Sequence, residues 1–337
     1  MTSTSFAVNV VTQGRMRPLN VLRDLPAVAD LIELCFSSTL DPEGRSYIDQ
    51  MRRSGRDSSF LRWAPRVIET VSLPLSGFVW ENNGRVVGNV SLIPFSRYGK
   101  KIFLVANVAT HPDFRRQGIA RQLTAAAMQR AREKHAHSIW LHVRDDNPGA
   151  IQLYEQLGFV ERTRRTSWSG SRQVTLPSDP PANIQVMSRQ PRDWLIQSEW
   201  LSRAYPPDLN WYHTQTWDIL KPGLVNALYR FLTDTKTLQW TGYRQGSLLG
   251  VLGCQRTPGH SDHLWAALPV NPDAEVVTAL FQHARRTLNP SRGVVLEYPT
   301  GIIDEAIQAA GFTPQRTLAW MQAPGSATFQ KMERKLI

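Results

Sequence analysis

The run from Asn107 to Phe159 constrains the fold more than any other part of this 337-residue chain. A strand-like segment, Ile102 to Thr110, leads through Arg115-Arg116-Gln117-Gly118-Ile119-Ala120 straight into a helical pattern. Strand, basic glycine-containing loop and helix N-terminus together suit a pyrophosphate. The first N–H groups of a helix have no partner inside it, and the helix dipole adds positive potential. Gly118 lets the backbone approach a ligand closely, and Ala120 keeps the next turn small. Arg115, Arg116 and Arg121 supply charge. Two other phosphate loops are excluded. A P-loop needs Lys followed by Ser or Thr after its second glycine, and a dinucleotide fold needs three glycines.

The spacing Arg115-x-x-Gly118-x-Ala120 resembles the coenzyme A loop of the GNAT N-acetyltransferases, Gln/Arg-x-x-Gly-x-Gly/Ala. His111-Pro112-Asp113-Phe114 resembles the segment that precedes that loop in the family. Asn147 through Tyr154 to Gly158-Phe159 resembles the family's Asn-x-x-Ala-x-x-x-Tyr-x-x-x-Gly-Phe. The likeness is specific over roughly residues 77 to 165 and extends from about Met16. It implies an α/β (α+β) GNAT fold, a mixed and mostly antiparallel sheet flanked by helices. It also implies acetyl-CoA as acyl donor and no metal.

The composition, 42% hydrophobic and 20% charged, is that of a soluble chain long enough for two cores. Cys35 and Cys254 stand far apart, outside any metal-ligand spacing, and read as small buried apolar residues. The first residues lack the charged lead and apolar run of a signal peptide. No apolar stretch approaches the ~18 residues that would cross a bilayer, so the expectation is a cytoplasmic protein without a membrane partner. The net charge of +11 raises the question of nucleic acid. Much of it has a local use, because Arg115, Arg116, Arg121, Arg130 and Arg132 lie on or after the anion loop. No zinc-finger spacing and no aromatic–basic RNA signature accompanies it, which argues against nucleic acid.

The pattern of elements predicts a short strand over Arg17–Leu22 and then a helix opened by Asp24-Leu25-Pro26. Residues 37–75 read as helical with loops, and by resemblance cover the acceptor pocket. Asn82-Asn83-Gly84 joins two strands as a hairpin. Asn147 caps a helix with Pro148 at its first position and Gly158 past its end. Residues 173–183 read as a linker, with 1–172 as the coenzyme A-binding domain and 184–337 as a second copy. Beyond the linker the order of elements recurs: a hairpin at Gln245-Gly246, Asn271-Pro272-Asp273 echoing His111-Pro112-Asp113, and Gly311-Phe312 echoing Gly158-Phe159. The copy lacks Arg-x-x-Gly-x-Ala and carries Asp273 and Glu275 where cations would be wanted. Two carboxylates there would repel a pyrophosphate. The second copy is therefore degenerate and serves to complete the acceptor cleft or stabilise the first. It carries the seven tryptophans from Trp194 to Trp320, which read mostly as core or interface residues.

Acetyl transfer to an amine must polarise the thioester carbonyl, protonate the leaving thiolate and deprotonate the ammonium. By resemblance, the backbone of Val108, Ala109 and Thr110 meets the thioester. Arg115, Arg116, Gln117, Gly118, Ile119, Ala120 and Arg121 hold the pyrophosphate. Asn147 touches the pantetheine arm as well as capping its helix. Tyr154 falls on the family's general-acid position. A phenol with a pKa near ~10 can protonate a thiolate; Ile151 and Leu157 share its helix face, so a core role is the alternative, and the family position favours the acid. His142 lies where the ribosomal-protein alanine acetyltransferases carry a Glu. An imidazole with a pKa near ~6.5 suits a base, but a strand His is often structural. Glu81 on the hairpin strand is the other candidate base, and many family members use only water. Neither cysteine has a His near it in sequence, so attack is expected to be direct within a ternary complex.

The resulting expectation is acetyl-CoA-dependent N-acetylation of a small-molecule or peptide amine. Tandem copies also resemble mycothiol synthase, which makes an amino-sugar conjugate conceivable. The alternatives are a non-catalytic acyl-CoA sensor and a transferase of longer acyl groups.

Overall fold

The computed structural model describes residues 14–40, 42–56, 76–97, 99–170, 181–209, 211, 217–223, 237–256, 261–289 and 291–326. The chain forms two compact units. Unit 1 is Met1–His142, Gly149–Val160 and Met321–Ile337; unit 2 is Val143–Pro148 and Glu161–Trp320. These units differ from a single cut at the 173–183 linker, of which residues 173–180 lie outside the described ones. Contacts follow the hydrogen-bond ladders rather than the order of the sequence.

Unit 1 opens with β1 (Gly14–Pro18), α1 (Val21–Phe36) and α2 (Pro42–Arg56). Then come β2 (Gly77–Asn82), β3 (Arg85–Arg97), β4 (Lys100–Thr110), α3 (Ile119–Glu133), β5 (Ser138–Arg144) and α4 (Pro148–Gln156). Sheet neighbours run β1-β2-β3-β4-β5, antiparallel at each step until β4 and β5, which are parallel. The Met321–Pro324 end of β12 (Phe312–Pro324) lies beside β5.

Local chemistry explains most boundaries. Asn83 (φ 48°) and Gly84 (φ 77°) are both left-handed, the requirement of a tight two-residue hairpin. Gly158, at φ 89°, stops α4. The start of α1 departs from expectation. Asn20 is its cap and accepts from the Arg23 N–H, so the helix begins at Val21 and Pro26 lies inside it. The first strand correspondingly ends at Pro18 rather than Leu22.

Helices cover both faces of this sheet. Successive strand residues alternate faces. Val79 joins Leu25, Val28, Ala29, Ile32, Ile48 and Met51 in the core beneath α1 and α2. On the other face stands Gly88, where a Cβ would come within 2.8 Å of Ile119 and 3.0 Å of Leu123. The missing side chain is what lets α3 approach β3.

Unit 2 contains β6 (Val160–Gly170) from Glu161 onward, β7 (Ile184–Ser188), α5 (Trp194–Ala204), β8 (Thr237–Arg244) and β9 (Ser247–Gln255). β10 (Ser261–Ala267), α6 (Ala274–Thr287), β11 (Gly293–Pro299), α7 (Asp304–Ala309) and β12 as far as Trp320 follow. β7, β8, β9 and β10 form an antiparallel run, and β11 joins β10 in parallel. This repeats the order of unit 1. β6 pairs antiparallel with β11, from Val294↔Gly170 to Pro299↔Arg165. Each unit thus takes the strand beside its parallel pair from the other half of the sequence. Gln245 (φ 51°) and Gly246 (φ 78°) form the second hairpin. The core includes Trp168, Trp200, Trp240 and Trp265, in keeping with the expected role of most tryptophans.

Candidate functional site

The site is built where β4 leaves the sheet. The β4–β5 ladder runs from Ile102↔Ser138 to Val105↔Leu141 and stops there. Ala106, Ala109 and Thr110 of β4 stay paired with β3 on one side, and residues 106–110 have no β5 partner on the other. Val108, Ala109 and Thr110 lie in this open stretch. Opposite β3, two residues, Asn107 and Val108, face the single Val90, which is a β-bulge. Asn107 is left-handed at φ 51°.

Beyond β4 the chain crosses a short turn into α3. Arg116 (φ 63°) and Gly118 (φ 77°) are left-handed, and Gly118 caps α3 with no side-chain hydrogen bond to its first N–H groups. A Cβ on Gly118 would find only the Gln122 amide, at 3.9 Å, so the space in front of the helix is open. Arg115, Arg116, Gln117, Gly118 and Arg121 are exposed, while the Ile119 side chain is buried and Ala120 half-buried. An uncapped helix start beside exposed guanidinium groups is suited to an anion. The Arg121 side chain donates to Gln156 of α4 and so ties the two helices together.

The predicted catalytic residues fare differently. His142 is the first β5 residue after the last β4–β5 pair, half-buried at the point where the strands part. Tyr154 is 7% exposed and packs edge-on to Phe159, with ring centroids 6.1 Å apart. Burial pushes its phenol up to about 12, so it is protonated at neutral pH. Glu81 is clamped by cations. Its carboxylate accepts from Arg17 at 2.7 Å and from Arg23 at 2.5 Å, with Arg15 at 3.7 Å. The Arg17 hydrogen bond, followed in weight by other contacts, holds the Glu81 carboxyl below its ordinary value. Arg17 also grips buried Asp24 at 2.6 Å. This is an ion network joining β1, α1 and β2, and it makes Glu81 a poor proton acceptor. Asn147 belongs to unit 2, where its N–H donates to the Arg144 carbonyl.

Two features escaped the sequence reading. Cys35 is half-buried rather than buried, and its thiol donates to the Thr110 carbonyl at 3.4 Å, beside the Arg115 Nε at 3.3 Å from the same oxygen. Burial pushes this thiol up against the opposite pull of Arg115, which keeps it from acting as a thiolate. The other is the side-chain set around Asn107. An Asn within a strand run is itself a signal, because Asn is depleted in strands and tolerates left-handed backbone.

In unit 2 the equivalent helix start is closed by the chain itself. Asp273 caps α6 by accepting from the Val276 N–H, and Arg244 pairs with Asp273 at 2.8 Å and with Glu275. Among the described residues no group of three or more His, Cys, Asp and Glu could hold a metal ion. No helix there is long and apolar enough to cross a membrane.

Comparison with known proteins gives the matches their names. Residues 29–159 match the acetyltransferase (GNAT) family. The ribosomal protein bS18-alanine N-acetyltransferase of Escherichia coli (strain K12) is 40% identical over 62 residues, 18% of this chain and 42% of that protein. An uncharacterized N-acetyltransferase of Methanocaldococcus jannaschii is 33% identical over 94 residues, 27% of this chain and 42% of that protein. The chain thus spans under half the length of these relatives. Among solved structures, a GCN5-related N-acetyltransferase from Sphaerobacter thermophilus has the same fold. It aligns over 93% of this chain and 96% of its own, with a TM-score of 0.55 and 17% identity. Residues 29–159 are thus similar to the GNAT acetyltransferase family, and the uncapped α3 start and the parted β4 and β5 lie within that matched stretch.

Proposed function

We propose that the chain is an acetyl-CoA-dependent N-acetyltransferase of the cytoplasm that moves an acetyl group to a primary amine. The observation that carries this reading is the end of the β4–β5 ladder at Val105 together with an α3 start that has no side-chain cap and open space at Gly118. The donor set fits coenzyme A. Backbone N–H groups at Gly118, Ile119 and Ala120 would meet the pyrophosphate, with Arg115, Arg116, Gln117 and Arg121 around it. The backbone of Val108, Ala109 and Thr110 would meet the thioester and the arm that carries it.

The chain's own groups would then do three things. N–H groups of β4 polarise the acyl carbonyl in a pre-organised setting. Tyr154, protonated, donates its phenolic hydrogen to the departing sulfur as the C–S bond breaks. His142, at the parting of β4 and β5, takes a proton from the ammonium before its nitrogen forms the new C–N bond. Glu81 drops out of this scheme because its oxygens are held by arginines. Attack in this scheme is direct within a ternary complex, with the half-buried Cys35 thiol donating to the Thr110 carbonyl.

The acceptor is proposed only as a class, a small-molecule or peptide amine. One observation favours a second reading, a non-catalytic acyl-CoA sensor: the Tyr154 ring is packed like a core residue. Thiol release from acetyl-CoA against a panel of amines and peptides separates the two. Turnover with any amine, lowered by Tyr154→Phe, supports the enzyme. Tight binding with no turnover supports the sensor. A longer-chain transferase would show higher kcat/KM with longer acyl-CoA donors.

A further inference from the structure

The bulge in β4 is held by four polar side chains that the mechanism above does not use. Asn107 Nδ2 donates to the Tyr47 hydroxyl at 3.1 Å and to Ser91 Oγ at 3.2 Å. Asn89 Nδ2 donates to the Asn107 carbonyl at 2.9 Å and to Ser91 Oγ at 3.3 Å. Asn89 and Ser91 are fully buried. Burial pushes the Tyr47 phenol up, so it enters the network as a neutral hydroxyl. Three of these four bonds are made by Asn107, the one residue of β4 whose backbone is left-handed, a conformation that costs a non-glycine residue on the order of 1 kcal/mol.

The four groups do not have equal origins. Asn89 and Ser91 lie on β3, already locked to β4 by the ladder. Tyr47 comes from α2, a helix that packs on α1 and touches the bulge through this hydroxyl. The residue next to Asn107 is Val108, the first of the backbone groups offered to the acyl carbonyl.

Resting on the acyl-transfer reading above, we propose that Tyr47 and Asn107 are a positioning pair: α2, through the Tyr47 hydroxyl, holds the left-handed Asn107 and thereby aims the Val108–Thr110 backbone at the acyl group. Neither residue touches the reacting atoms. Their effect is geometric, and small displacements of a pre-organised donor are costly to rate, up to ~10²-fold for ~1 Å. A positioning role predicts a loss in kcat with coenzyme A affinity kept, because the pyrophosphate is held at α3 and not at the bulge.

The test uses Tyr47→Phe, which removes one oxygen and keeps the ring, and Asn107→Gly, which keeps the left-handed backbone accessible and removes the amide. Each should lower kcat about tenfold while the calorimetric Kd for acetyl-CoA changes by less than about twofold. The double variant should be no slower than the slower single one, as for two residues acting through one contact. Amide exchange followed by mass spectrometry should speed up over Asn107–Thr110 in both variants and stay unchanged in α6. Exchange needs no acceptor, so it decides the pairing even if no amine is ever acetylated and the acyl-transfer reading fails. Unchanged exchange at the bulge, losses in kcat that multiply in the double variant, or a loss confined to Kd would each overturn the proposal.

Discussion

The hydroxyl of Tyr205 bridges two parted strands of unit 2: it accepts from the Ala266 N–H at 3.3 Å and donates to the Glu297 carbonyl at 3.5 Å. Ala266 lies on β10 past its last pair with β11, Leu264↔Leu296. Unit 2 therefore repeats the parted strands of unit 1 and fills the gap with its own side chain. Trp217 packs on Tyr205 at a tilt of 44° with centroids 5.0 Å apart, and the Arg165 guanidinium lies 4.9 Å from the same ring. Arg165 is anchored by Glu297 at 2.9 Å and by the Ala204 carbonyl at 3.0 Å. With Asp273 capping α6, the helix start and the parted strands of unit 2 are both filled by the protein's own side chains.

One consequence is stoichiometric. Calorimetric titration with acetyl-CoA should give one site per chain, and Gly118→Glu should abolish it. The substitution places a carboxylate in the open space before α3 and forces left-handed backbone on a non-glycine residue. Normal binding by this variant would refute the loop assignment.

Tyr205→Phe should cost about 1–3 kcal/mol of stability. It leaves the buried Ala266 N–H without its acceptor. Chemical denaturation measures this directly, and unit 2 should gain no acetyl-CoA site as a result.

Tyr154→Phe should lower kcat by about 10²-fold or more, with little change in the Kd for acetyl-CoA. Because burial pushes the phenol up to about 12, wild-type kcat should show no falling limb attributable to Tyr154 below about pH 11. An unchanged rate in the variant would return Tyr154 to the core.

Stability should decline on the alkaline side. Tyr154, Tyr205 and Cys254 are each pushed up to about 12 by burial. Their unfolded counterparts ionise at ~10, ~10 and ~8.5. Between the unfolded and folded values the native state binds more protons. Stability is thus full below about pH 8.5 and falls as pH rises toward 12. Thermal midpoints measured from pH 8 to 11 should decrease steadily.

Arg17→Met should destabilise unit 1 by about 1–3 kcal/mol, since the buried Asp24 carboxylate then keeps only the Arg23 guanidinium and the Asn20 N–H. Activity per folded molecule should persist, because Glu81 and its arginines are placed outside the chemistry. A selective loss of kcat would instead return Glu81 to the mechanism.

What the sequence by itself determined is local. The left-handed positions at Gly84, Gly118, Gly158 and Gly246 follow from residue type. The strand and helix runs follow from the spacing of apolar residues, and their order alone revealed the repeat. The open, left-handed turn before α3 was legible because its residues are consecutive, Arg115 to Ala120. Only the tertiary structure decided the rest. β6 pairs with β11 instead of closing its own half, Tyr205 reaches Ala266 across 61 residues, and Glu81 meets Arg17 across 64. Tyr47 meets Asn107 across 60. Such contacts depend on strand register and on which helix crosses which strand. A one-residue slip would reverse every side chain involved, and no local propensity encodes that choice.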